Sequence, residues 1–158
     1  MVTRTARANA NEDQGIAVQR LRLWLQMLKA VRFVESELRE RLRSGYDMTL
    51  PRFDVLAALQ AAPDGLKMTE LSQQLMVSNG NVTGIVDRLV ADGLAEREVV
   101  ESDRRAYRVR MTAKGSALMA EMTAAHLGWI DALFADVAET DVARGMSIML
   151  DIRHKPHR

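Results

Sequence analysis

Four arginines, Arg104, Arg105, Arg108 and Arg110, fall within one short stretch, with Tyr107, Val109 and Met111 set among them. A guanidinium is a planar, permanently charged donor that matches phosphate oxygens. Crowded onto an alternating, strand-like segment, these side chains are candidates for contact with a polyanion. The competing reading is an ordinary solvated loop. A second candidate stretch is "VSNGNVTG", residues 77–84. Its amide and hydroxyl side chains suit the edges of bases: asparagine pairs bidentately with adenine, and threonine meets a thymine methyl or a phosphate. Taken singly, Asn79-Gly80-Asn81 is also a common turn-and-cap sequence.

The charge distribution separates these readings better than the total does. Net charge is only +1. Yet the basic residues Arg97, Arg104, Arg105, Arg108, Arg110 and Lys114 outnumber Glu98, Glu101 and Asp103 in their stretch. From Gly115 to Asp151 the balance reverses, with Arg144 alone against Glu121, Asp131, Asp136, Glu139, Asp141 and Asp151. Such segregation implies one end that faces a polyanion and one that faces something else.

Other chemistries find little support. The chain has no cysteine, which excludes disulfides, thiolate metal sites and thiol redox switches within it. His126, His154 and His157 lack close ligand spacing, so no metal and no cofactor are expected. No nucleophile–base pair or phosphate-cradling glycine loop stands out, and Glu70 and Asp87 read as helix-surface or capping residues, so an enzyme is not expected. The polar start, "MVTRTARANANEDQG", has no apolar core for a secretory signal and reads as a mobile tail. No apolar run approaches the ~20 residues that span a bilayer. A cytoplasmic protein is expected.

The elements that must position the two candidate stretches follow from periodicity. Leu21, Trp24, Leu25, Leu28, Val31, Val34, Leu38 and Leu42 recur at helical spacing over 16–43, with Gly45 as terminator. Pro51 opens a second helix that "AAPDG" ends. A short third helix runs through "MTELSQQL", and Ser78 can cap a fourth over 79–92 whose buried stripe is Val82, Ile85, Val86 and Leu89. "LAEREVV" and "AYRVRM" alternate around the polar turn "ESDRR", predicting a hairpin with Arg104 and Arg105 at its tip. Thr112 can cap a long helix to Val137, and "ETD" starts a last one. The expected fold is mainly α with a small β-hairpin wing. Two short helices and a basic hairpin in tandem make a winged helix-turn-helix. The fourth helix would enter a major groove, while the hairpin arginines enter a narrow minor groove, with Asp103 orienting one of them.

These residues resemble the MarR family of winged-helix regulators over about Gln19 to Asp151. The wing carries Asp103-x-Arg105, five residues, Met111-Thr112, then Lys114-Gly115. The reader carries Asp87-Arg88-Leu89, Gly93-Leu94 and Arg97. Lys67 departs from a family position where a capping threonine is common, leaving Thr69 as an alternative cap. The resemblance implies a single MarR-type domain over 1–158: a winged helix-turn-helix at 46–112, and a helical dimerisation region at 16–44 and 113–153. It implies a homodimeric repressor on a pseudo-palindromic operator, contacting DNA through Ser78, Asn79, Asn81, Thr83, Arg88, Arg104 and Arg105. A small-molecule effector would release it, with Trp24, Arg32, Phe33, Arg52, Phe53 and Trp129 as candidate pocket residues. Lacking cysteine, the chain falls outside the peroxide-sensing branch. "LMVSNGNVTGIVDRLVADGLAERE" and "AAHLGWIDALFADV" look most like the branch that senses aromatic acyl-CoA thioesters such as hydroxycinnamoyl-CoA. The basic excess of the first helix (Arg20, Arg22, Lys29, Arg32, Arg39, Arg41, Arg43) would suit their phosphates. The alternative is a winged-helix protein-interaction module that does not bind DNA.

Overall fold

The computed structural model describes residues 2–100 and 103–154, with side chains for 14–99 and 107–154. Two units divide at Leu50 and Pro51. The first is one long helix, α1 (Val2–Tyr46), and the turn after it. It begins well before residue 16, so the expected polar tail is helical backbone: the segment is rich in alanine and free of proline. Gly45 is not its terminator. The chain turns at Asp47, whose φ of 48° is left-handed, and the N–H of Met48 closes onto the Leu42 carbonyl at 3.2 Å. Aspartate tolerates that conformation better than most side chains, and burying Met48 immediately after holds the turn in place.

The second unit carries α2 (Leu50–Gln60), β1 (Leu66–Lys67), α3 (Met68–Gln74), α4 (Asn79–Ala91), β2 (Ala95–Val100), β3 (Asp103–Met111), α5 (Ala113–Leu133) and α6 (Glu139–Arg153). Mainly α with a small β wing is the observed class. The wing has three strands rather than two, in the order β1-β3-β2 and antiparallel throughout. Leu66 and Lys67 pair with Val109 and Arg108. Two residues are too few to show alternation, so β1 left no periodic signal in the sequence. The core of this unit comprises Val55, Leu56 and Leu59 of α2, Leu71 of α3, Val82, Val86 and Leu89 of α4, Val109 of β3, and Met119 and Met122 of α5. The α4 residues lie at the 3.6-residue spacing that their sequence predicts.

α4 and α5 are locked end to end. α4 closes with paired reverse bonds, Gly93 N–H to Val90 carbonyl at 2.9 Å and Leu94 N–H to Leu89 carbonyl at 2.9 Å, with Gly93 at φ 71°. The next three carbonyls are all taken up from the start of α5. Lys114 Nζ donates to Asp92 O at 2.8 Å, Thr112 Oγ1 to Gly93 O at 2.8 Å, and Thr112 N to Leu94 O at 3.1 Å. Thr112 Oγ1 also accepts from Gly115 N at 3.0 Å and so caps α5 as expected. α5 stops at Leu133, short of Val137. α6 then starts after Ala138 without a side-chain cap, its first turn carrying Glu139 and Asp141.

Candidate nucleic-acid interface

α3, a four-residue turn and α4 form the helix-turn-helix. α3 starts at Lys67, not at a Thr69 cap. Lysine has no acceptor, so half of a capping box serves instead: the Lys67 backbone N–H donates to Glu70 Oε2 at 2.7 Å. α3 ends with Met76 N–H on the Gln73 carbonyl and Val77 N–H on the Ser72 carbonyl. Met76 occupies the left-handed position, φ 52°, where glycine is the low-cost residue, and it is 92% exposed. Ser78 then caps α4, its hydroxyl accepting from Asn81 N at 3.5 Å.

Ser78, Asn79, Asn81, Thr83 and Arg88 all lie exposed on this element, whereas Val82, Val86 and Leu89 are buried. Thr83 gives its proton to the Asn79 carbonyl at 2.9 Å, leaving its methyl and lone pairs for a ligand. A Cβ at Gly80 or Gly84 would meet nothing within 4 Å. Among the described residues nothing therefore requires glycine there, although each lowers helix stability by roughly 1 kcal/mol relative to alanine. What the pair provides is bare backbone on the exposed side, open to close approach.

The arginine ribbon divides. Arg108 NH1 donates to the Asp64 carbonyl at 3.0 Å and Arg110 NH1 to Glu98 Oε1 at 3.0 Å. Arg97 of β2 pairs with Asp87 of α4 at 2.6 Å, tying sheet to reader helix. These arginines stiffen the wing. Arg104 and Arg105 lie in β3 by backbone rather than in the turn, and their side chains, like that of Asp103, lie outside the described residues. Residues 101–102, between β2 and β3, also lie outside them.

The candidate pocket residues scatter more. Trp24 and Phe33 are each more than half exposed on α1. Nine residues apart on one continuous helix, they are about half a turn out of phase and roughly 13 Å apart along the axis. α1 does not bring them together. Arg32 is exposed beside Phe33. In the second unit Phe53 is buried and packs on His126, ring centroids 5.0 Å apart, with Trp129 one helical turn further along α5. Arg52 is mostly buried and its guanidinium holds the carboxylate of Asp92, the residue that ends α4. Sequence reasoning missed that pair because its partners lie 40 positions apart. Among the described residues no cluster of three metal-ligating side chains forms, and no helix is long and apolar enough to cross a membrane.

Comparison with known proteins agrees with this architecture. The family model described as the MarR family matches residues 46–106. The chain is 28% identical over 119 residues to the HTH-type transcriptional regulator PecS of Dickeya dadantii strain 3937, covering 74% of this chain and 71% of that protein. It is 26% identical over 141 residues to the HTH-type transcriptional repressor YetL of Bacillus subtilis strain 168, covering 89% and 81%. Among solved structures, a MarR family transcriptional regulator from Silicibacter pomeroyi superposes with a TM-score of 0.74 at 30% identity, covering 86% of this chain and 94% of that one. Sco3205, a MarR family regulator from Streptomyces coelicolor in complex with DNA, superposes with a TM-score of 0.78 at 21% identity, covering 86% of each chain.

Proposed function

The chain belongs to the MarR family of winged helix-turn-helix transcriptional regulators, and from that premise we propose that it works as a homodimeric repressor released from its operator by a small molecule. The observation that carries the DNA contact is the exposed run Ser78, Asn79, Asn81, Thr83 and Arg88 on a reader helix held by its buried stripe and by both of its ends. Arg104 and Arg105 of β3 are assigned to the narrow groove alongside. Two subunits related by a two-fold axis would read half-sites about 10 base pairs apart. The workplace on this reading is the cytoplasm.

Dimerisation is supported by α6. The helix carries Val142, Met146, Met149, Leu150 and Ile152, and none of its residues is buried within one chain. Phe134, Val137, Val142, Met146, Met149 and Leu150 line an apolar groove of about 530 Å³. Contiguous apolar surface of this kind marks an association face.

The effector class proposed is an aromatic acyl-CoA thioester. The ring would pack in the neighbourhood of Phe53 and Trp129. The polyanionic part suits a basic surface.

Fluorescence anisotropy on operator fragments from the protein's own promoter tests the DNA contact. Affinity should fall steeply as salt rises; a flat dependence between low and moderate salt contradicts it. Thermal-shift measurements with aromatic acids and their CoA esters test the effector. Absence of stabilisation by any thioester removes that class.

A further inference from the structure

One carboxylate in this interface serves two guanidinium groups. Asp92 ends α4, and its backbone carbonyl is held by Lys114 Nζ, so the residue itself is fixed in place. Asp92 Oδ2 receives Arg52 from α2, whose side chain is only 13% exposed. Asp92 Oδ1 faces Arg88, one turn back on α4, at 3.8 Å from Nε, and Arg88 is 71% exposed. The Arg52 contact is a hydrogen-bonded ion pair, whereas 3.8 Å is beyond hydrogen-bond distance. Among the described residues Arg88 has no nearer carboxylate.

The geometry sets up a competition. A carboxylate at the i+4 position from an arginine is within easy reach of it on a helix surface. A guanidinium hydrogen-bonded to a carboxylate has fewer donors to offer a phosphate, and its charge is more closely offset. We propose that Arg52 is a positioning residue for DNA binding: it keeps the Asp92 carboxylate 3.8 Å from Arg88, short of a hydrogen bond, and so leaves the Arg88 N–H donors for a backbone phosphate. When Arg52 is lost, Asp92 swings to Arg88 and neutralises it. This inference rests on the DNA-binding reading of α4.

The test compares wild type with Arg52→Met, Asp92→Asn and the double variant, by operator binding across a salt series with the thermal midpoint of each protein measured alongside. Arg52→Met should weaken binding about five-fold per subunit at 0.15 M salt and flatten the slope of log affinity against log salt by about 1 per subunit, as expected for one lost phosphate contact. Asp92→Asn should bind at least as tightly as wild type. The double variant should recover both the affinity and the slope, because no carboxylate remains to claim Arg88. A purely structural role gives a different pattern: Asp92→Asn would weaken binding as Arg52→Met does, and the double variant would stay weak. Either result overturns the proposal. Arg52→Gln repeats the comparison should Arg52→Met fail to fold, with a smaller loss expected. If wild type itself binds no DNA, the DNA-binding reading fails on its own, and the carboxylate transfer is then read by NMR. The Arg88 Nε–H resonance should move downfield in the Arg52 variant of the free protein, and an unmoved resonance overturns the transfer.

Discussion

Gly115 stands where a side chain has no room: a Cβ there would lie 2.1 Å from the Leu94 carbonyl oxygen. That oxygen belongs to the backbone joining the reader helix to the wing, so the clash has no flexible side chain to absorb it. Gly115→Ala is expected to destabilise the protein by about 2–3 kcal/mol, read as a lower urea midpoint. Met76 presents the opposite case. Its left-handed backbone carries a fully solvated side chain that packs on nothing to compensate. Met76→Gly should raise stability by up to about 1 kcal/mol, and a lower midpoint would show that the methionine makes a compensating contact. The arginines teach a related lesson about charge. Arg97 and Arg110 sit in the same ribbon as Arg104 and Arg105, yet each has a carboxylate partner. Clustering in sequence does not make a set of cations available to a ligand: Arg97 is taken by Asp87 of α4 and Arg110 by Glu98 of β2.

At the scale of elements, the junction between α4 and α5 decides how the reader helix is presented. Thr112 makes three of its contacts at once: its hydroxyl accepts from Gly115 and donates to Gly93, and its N–H donates to Leu94. Thr112→Ala removes the first two and should cost about 2 kcal/mol, at the upper end for a helix cap, whereas Thr112→Ser should cost less than about 0.5 kcal/mol. Equal losses in thermal midpoint for both variants would assign the effect to the threonine methyl instead. Thr112, Lys114 and Gly115 all serve the chain just past the end of α4: Lys114 and Thr112 by hydrogen bonds to the carbonyls of Asp92, Gly93 and Leu94, and Gly115 by leaving room for Leu94.

For the whole molecule, the unburied apolar helix α6 is the feature that a single chain leaves unexplained. Met146 is 63% exposed and lines the apolar groove. A charge placed there stays mostly in solvent in the single subunit, so Met146→Glu should change the folding stability of the chain by less than about 0.5 kcal/mol. On the proposed dimer it should halve the mass seen by light scattering and reduce operator affinity, since two half-sites would no longer be engaged together. Unchanged mass would place the dimer contact elsewhere. Charge segregation acts at this scale too: the acidic stretch from Gly115 to Asp151 contributes α6 and most of α5, while the basic excess lies in the wing, from Arg97 to Lys114.

The order of the helices and of the two long wing strands, the buried Val82, Val86 and Leu89 of α4, and the caps Ser78 and Thr112 were legible in the sequence, because each is a matter of local periodicity or of neighbours within four residues; the family was legible as a resemblance of motifs. The sequence's reading of ends was weaker. Gly45 was the expected stop for α1, but Asp47 makes the turn, because burial of Met48 rather than glycine's freedom selects the residue that goes left-handed. Which arginines are already engaged depends on contacts between distant elements. Arg108 meets Asp64, Arg110 meets Glu98, and Arg52 meets Asp92. The strand β1 likewise exists only because β3 is there to pair with it. One cause is common to all of these: a charge or an edge strand is satisfied by whatever the fold brings alongside it, and that partner lies between 12 and 44 residues away, beyond the reach of any local pattern.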